Sequence, residues 1–118
     1  MDCYNWQEIA EEKLSDLLSR RVIHTPGSTI ARISLKQGAV VPLHSHVNEQ
    51  VTMLASGALE FEMAGEKFVV RGGDVVVIPP DVPHRVVALE DSLATDLFTP
   101  AREDWIRGDD AYLRETPR

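Results

Sequence analysis

From Arg20 onward the sequence consists of short, β-branched apolar runs, each stopped within a few residues by Gly, Pro or Asp. The runs are Val22-Ile23, Thr29 to Leu35, Ala39 to Leu43, Val51 to Ala55, Leu59 to Met63, Phe68 to Val70, Val75 to Ile78, Arg85 to Leu89 and Leu93 to Thr99. No helical period separates them, and their spacing of about ten residues predicts an antiparallel all-β sandwich or barrel. Pro26-Gly27, Gln37-Gly38, Ser56-Gly57, Ala64-Gly65 and Gly72-Gly73 supply the backbone freedom that the connecting turns need. Leu59, Phe61 and Met63 alternate with Glu60 and Glu62, which marks one buried and one wet face.

The flanks read differently. Trp6, Ile9, Ala10, Leu14, Leu17 and Leu18 recur at three- and four-residue steps between acidic residues, which predicts a short amphipathic helix packed on the outside of the domain. Glu103 to Arg118 is charged and weakly patterned, and reads as a surface tail with one helical turn around Trp105 to Leu113. The expected organisation is one domain: a helical segment over 1–19, a β-barrel over 20–102 and a tail over 103–118.

A chain of 118 residues leaves room for one such domain, not two. Its formal net charge of -7 repels phosphate backbones and anionic lipid heads, so neither nucleic acid nor membrane is an expected partner. Cys3 is the only cysteine and has no visible partner to make it a thiolate. With no disulfide possible, no secretory signal and no apolar run of membrane-spanning length, the expected location is the cytoplasm.

The chemistry concentrates in the histidines. His44-Ser45-His46 projects two imidazoles from one face of an extended segment, from which they can converge on one ion. Around them, residues 38 to 57 read Gly-x5-His-x-His-x3-Gln-x6-Gly, and residues 73 to 84 read Gly-x5-Pro-x4-His. Together these stretches resemble the two motifs of the cupin superfamily, over about Arg20 to Arg102. The resemblance implies a small antiparallel jelly-roll β-barrel holding one divalent transition metal. It places His44, His46 and His84 on the histidine ligands and Gln50 where the family's glutamate usually stands. Glu49 would project to the opposite face of an extended strand, so the neutral amide is the expected ligand. Asp81 and Ala88 replace a glycine and an asparagine of the second motif.

Three imidazoles and an amide leave the charge of a divalent ion uncompensated and suit a Lewis acid better than a dioxygen-activating iron. Zinc, nickel, iron, manganese and copper all accept such ligands. Further along, Asp96 and Phe98 share a strand face, Pro100 ends the strand, and Arg102 is expected at the rim. Read from spacing alone, these residues make a rim salt bridge between Asp96 and Arg102 above a core Phe98.

The run from His44 to Gln50, with Pro79-Pro-Asp-Val-Pro-His84 and Asp96-x-Phe-x-Pro-x-Arg102, further resembles the single-domain cupins of pectin and alginate breakdown that linearise unsaturated uronates. Here Val47-Asn48 stand where a further histidine is common, and Met53 where a tyrosine is usual. That resemblance implies a metal-dependent isomerase or lyase on a small anionic sugar. In it Asp96 moves protons, Arg102 grips the carboxylate in a fork and Phe98 shapes the pocket. A metal cupin of other chemistry, such as a dioxygenase, hydroxynitrile lyase or decarboxylase, or a non-catalytic sensing module, is the alternative. His24 has no matched role. Open sheet edges lead us to expect a homodimer.

Overall fold

The computed structural model describes residues 1–114; the last four residues of the expected tail lie outside them. Ten strands follow in chain order: β1 (Glu12–Lys13), β2 (Leu18–His24), β3 (Thr29–Leu35), β4 (Val40–His44), β5 (Glu49–Ser56), β6 (Ala58–Met63), β7 (Glu66–Arg71), β8 (Val75–Ile78), β9 (His84–Ala88) and β10 (Ser92–Thr99). Two one-turn helices close the described chain, α1 (Glu103–Ile106) and α2 (Ala111–Arg114). No helix among the described residues is long and apolar enough to cross a membrane.

All pairings are antiparallel and form a six-stranded sheet, β1-β2-β3-β10-β5-β8, facing a four-stranded one, β4-β9-β6-β7. This is the expected jelly roll. Its two sheets pack face to face without hydrogen-bonded closure into a barrel, leaving β1, β8, β4 and β7 as edges.

Register decides what the interior contains. Across β5 and β10, Gln50 faces Phe98, Thr52 faces Asp96 and Leu54 faces Ala94, all of them buried. On the opposing sheet the inward residues of β9 run His84, Val86, Ala88. On β5 and β9 the inward face therefore turns from polar to apolar within two steps, while on β10 Asp96 stands between Phe98 and Ala94. The apolar end, with Leu35, Leu54, Leu59 and Phe61, forms the core, while the polar end, where Ile78 stands beside Gln50, is held open between the sheets. Gly57 ties the two sheets together. Its φ is +94°, and a Cβ there would lie 2.2 Å from Ser92 Oγ and 2.5 Å from Asp91 O, so the last glycine of the first motif has no substitute.

The flanks depart from expectation. Only Trp6–Glu8 is helical, a single 3₁₀ turn whose Gln7 N–H donates to Asn5 Oδ1. The chain then extends, β1 pairs with Ser19 and Arg20, and the Leu14 and Ser15 amides donate to Leu18 O. A helix of this length is marginal without tertiary support, whereas the free edge of β2 satisfies the same backbone groups and buries Leu14 and Leu18. Arg21 straps the segment down by donating from Nη1 to the Trp6 and Ile9 carbonyls.

The described part of the C-terminal segment is not a surface tail. Trp105, Asp110 and Leu113 are buried, and α2 packs against β4 at the polar end of the molecule. Trp105 lies between two guanidiniums, with Arg20 4.5 Å and Arg102 4.3 Å from its ring centre. Arg20, an inward-facing cation, is paired with Asp110, which immediately precedes α2.

Candidate functional site

His44 ends β4 and His84 begins β9, and the two are cross-strand partners whose ring centres lie 4.2 Å apart. His46 follows in the loop after β4. Its carbonyl accepts from the Asp81 amide, which ties the loop carrying the second motif to the first. Asp81 holds a φ of +64°, the left-handed conformation that a glycine adopts freely and an aspartate tolerates. Ligand nitrogens of the three histidines all lie within 4.8 Å of one another, a group able to hold a metal ion.

The tautomers follow from the backbone. Nδ1 of His44, His46 and His84 lies 2.7, 3.0 and 2.9 Å from the carbonyl of Pro42, Asn48 and Val82 respectively. A carbonyl only accepts, so each Nδ1 carries the proton and each Nε2 of the neutral ring presents a lone pair. Burial keeps the rings neutral. It pushes the His44 imidazole down to about 4, helped by neighbouring His84, and lowers His46 and His84 as well, with Arg102 adding to both.

Gln50 is buried at the same centre while Glu49 is exposed, as strand alternation requires. Gln50 Oε1 lies 3.0 Å from His46 Nε2. Two acceptors face one another there, and His84 Nε2 is buried with no hydrogen-bond partner among the described residues. Both oddities fit a cation bound between these atoms, so the residues present suit the divalent metal that the fold implies.

Asp96 lies beside this centre, buried and accepting a 2.7 Å hydrogen bond from Thr52 Oγ1 at Oδ1. Burial lifts its carboxyl to about 6, against the opposing pull of Thr52 and Arg102. The rim salt bridge read from spacing is not formed. Arg102 is 1% exposed rather than at the rim, and its fork is taken by Asp104, with Nε to Oδ1 at 2.9 Å and Nη2 to Oδ2 at 2.8 Å. Although partial burial opposes it, that guanidinium holds the Asp104 carboxyl below its ordinary value. Phe98 is in the core as expected, edge-on to His46 and 4.7 Å beneath the Arg102 guanidinium.

Several participants carry no motif. Asn48 accepts from His46 and donates through Nδ2 to the Pro100 and Ala101 carbonyls, which brings the Arg102 turn against the histidines. Tyr112 of α2 lies over His44 and accepts from Arg102 Nη2 at 3.0 Å. A buried asparagine in place of the common histidine was the only available hint of the first; nothing local announces the second. His24 is exposed at the end of β2, bonded to Thr29 Oγ1 and away from the centre.

His44, His84, Gln50, Thr52, Asp96 and Arg102 line one cavity of about 50 Å³ whose far wall is the apolar core. A double-sheet jelly roll with a histidine cluster and an inward amide at one end defines a single-domain cupin. Residues 31–99 match the cupin domain family, and the chain belongs to it. It is 30% identical over 98 residues to the pectin degradation protein KdgF of Dickeya dadantii, covering 80% of this chain and 89% of that protein. The solved structure of KdgF from Halomonas sp. is similar with a TM-score of 0.82 at 33% identity, covering 89% of this chain and 98% of that one. An RmlC-like cupin from Shewanella frigidimarina reaches 0.81 at 26% identity, over 86% and 93%.

Proposed function

We propose that this cupin is a metal-dependent isomerase that opens a small 4,5-unsaturated uronate of pectin breakdown to its linear keto form. The observation that carries the reading is the shared cavity, in which Asp96 and Arg102 stand with the histidine and glutamine cluster. The similarity to KdgF proteins supports it.

The reaction moves one proton and breaks one ring bond. A proton leaves the hemiacetal hydroxyl, the bond between C1 and the ring oxygen breaks to give an aldehyde and an enolate, and C4 takes a proton to leave a ketone. His44, His46, His84 and Gln50 would hold a divalent ion, which would supply Lewis acidity towards a substrate oxygen. Asp96 is suited to the proton transfers, because its carboxyl near 6 is within reach of both states at neutral pH. Oδ1 accepts from Thr52, so Oδ2 is the atom assigned to take and return the proton, with the neighbouring Gln50 amide favouring the ionised form. Arg102 keeps its fork on Asp104 and meets the uronate carboxylate through Nη1, a single-nitrogen contact in place of the expected fork. Phe98 excludes water beneath it.

A cavity of about 50 Å³ holds a few waters, at roughly 10–15 Å³ each. Uronate entry therefore displaces α2 and the Tyr112 ring. The test is elemental analysis of the purified protein and its His44→Ala variant, with the ultraviolet absorbance of an unsaturated galacturonate followed in parallel. Bound metal and absorbance loss in the wild type, both abolished in the variant, is the expected result; metal without turnover would overturn the assignment of substrate. We also propose that two copies pair along the open β8 edge, where Val75 and Val77 stand exposed near Met53. Sedimentation equilibrium would then give the mass of two chains.

A further inference from the structure

An amide makes a one-sided metal ligand. Its oxygen donates a lone pair and its nitrogen does not, yet the two ends have nearly the same shape and interchange by rotation about one bond. Something must hold Gln50 with the oxygen towards the histidines. In this structure Gln50 lies between His46 Nε2 at 3.0 Å and Thr52 Oγ1 at 2.9 Å, and Thr52 is 2% exposed, opposite Asp96 on β10.

We infer that Thr52 is a positioning residue that fixes the Gln50 amide in its metal-binding orientation. The inference rests on the metal reading of the pocket and not on the substrate. A hydroxyl has one proton, and Thr52 gives it to Asp96 Oδ1 at 2.7 Å. Its remaining lone pairs can only accept, so the amide end facing Thr52 is the NH2 group and the end facing His46 is the oxygen. A bound cation sets the same direction from the other side. His46 Nδ1 donates to the Asn48 carbonyl, which leaves Nε2 a lone pair that would reject the oxygen unless a cation lay between them. Asp96, Thr52 and Gln50 thus form one directed chain of hydrogen bonds ending at the metal position. Valine has nearly the shape of threonine and suits a β-strand as well, so shape and strand propensity do not require the hydroxyl.

The experiment is titration of metal-free protein with cobalt(II), reading affinity by chelator competition and the ligand set by the cobalt d–d absorption. Thr52→Val should weaken cobalt binding by about 10–100-fold, the range for loss of a group that orients a ligand, and should alter the d–d bands. Thr52→Ser should restore both. A merely structural role is separated by the Gln50→Glu background. A carboxylate has two equivalent oxygens, so there Thr52→Val should change affinity by less than about 3-fold if the two sites act through one another. Unchanged cobalt affinity and spectrum in Thr52→Val, no rescue by serine, or an equal loss in the Gln50→Glu background would each overturn the inference while leaving the metal site standing. Absence of cobalt binding by the wild type would overturn both.

Discussion

The Tyr112 ring stacks on the His44 imidazole, with centres 4.6 Å apart and planes inclined by 29°. A residue from the last described helix thereby covers a histidine of the first cupin motif. Its hydroxyl also accepts from Arg102 Nη2 and Trp105 Nε1, at 3.0 and 3.3 Å. Tyr112 and Leu113 of α2 thus line the cavity, although both lie outside the two cupin motifs.

Tyr112→Ala should therefore speed cobalt(II) uptake by the metal-free protein several-fold in stopped-flow mixing, at a stability cost of about 2 kcal/mol for a half-buried ring. Tyr112→Phe keeps the stack and should have the smaller effect on uptake. Equal uptake rates in all three proteins would show that metal enters elsewhere.

Asp96→Asn should abolish turnover and raise stability at alkaline pH. The folded carboxyl, near 6, lies above its ordinary 3.8. Its favourable contribution is complete below pH 3.8 and is lost as pH rises through about 6, a loss of roughly 3 kcal/mol that the uncharged asparagine escapes. Urea midpoints at pH 3.5 and pH 8 check the sign: near equality in acid, and the variant ahead in alkali.

The histidines work in the opposite direction. The folded His44 imidazole, pushed down to about 4, contributes stability that is present above 6.5 and lost as pH falls through about 4. Between these limits protonation of Asp96 offsets part of the loss. The metal-free Asp96→Asn protein should therefore show a steeper acid decline than the wild type. His44→Gln in that background should flatten it.

Among the described residues, Asp110→Ala leaves the buried Arg20 guanidinium with only the partly exposed Glu12 as an acidic partner, at 3.3 Å. The expected loss is roughly 3 kcal/mol, because an unpaired buried charge is more costly than no charge. Arg20→Met with Asp110→Ala should recover much of it in denaturant melts.

Much of this was legible in the chain. The alternation of Leu59, Phe61 and Met63 with Glu60 and Glu62 marks a strand, and the same two-residue period puts Asp96 with Phe98 and separates Gln50 from Glu49. The His-x-His pair and the distant His84 were recognisable by spacing. The apolar pattern from Trp6 to Leu18 misled, because the free edge of β2 offered Glu12 and Lys13 partners that a lone helix lacks. Asn48, Thr52 and Tyr112 were hard to read as parts of the site, since Asn48 is anchored to Pro100 and Ala101, Thr52 to Asp96 and Tyr112 to His44 only across the fold.

The sequence by itself determined the strands, the inward faces and the residue types that can bind a metal, because a two-residue period and turn chemistry are local properties of the backbone. Only the tertiary structure decided which partners those residues have. It gave the Arg102 fork to Asp104 instead of Asp96 or a substrate, directed the Gln50 amide through Thr52, and laid Tyr112 on His44. Arg102 and Asp104 are near neighbours in the chain, as are Gln50 and Thr52, yet register against β10 and the docking of α2 decide that they pair, and only that docking brings Tyr112 to His44.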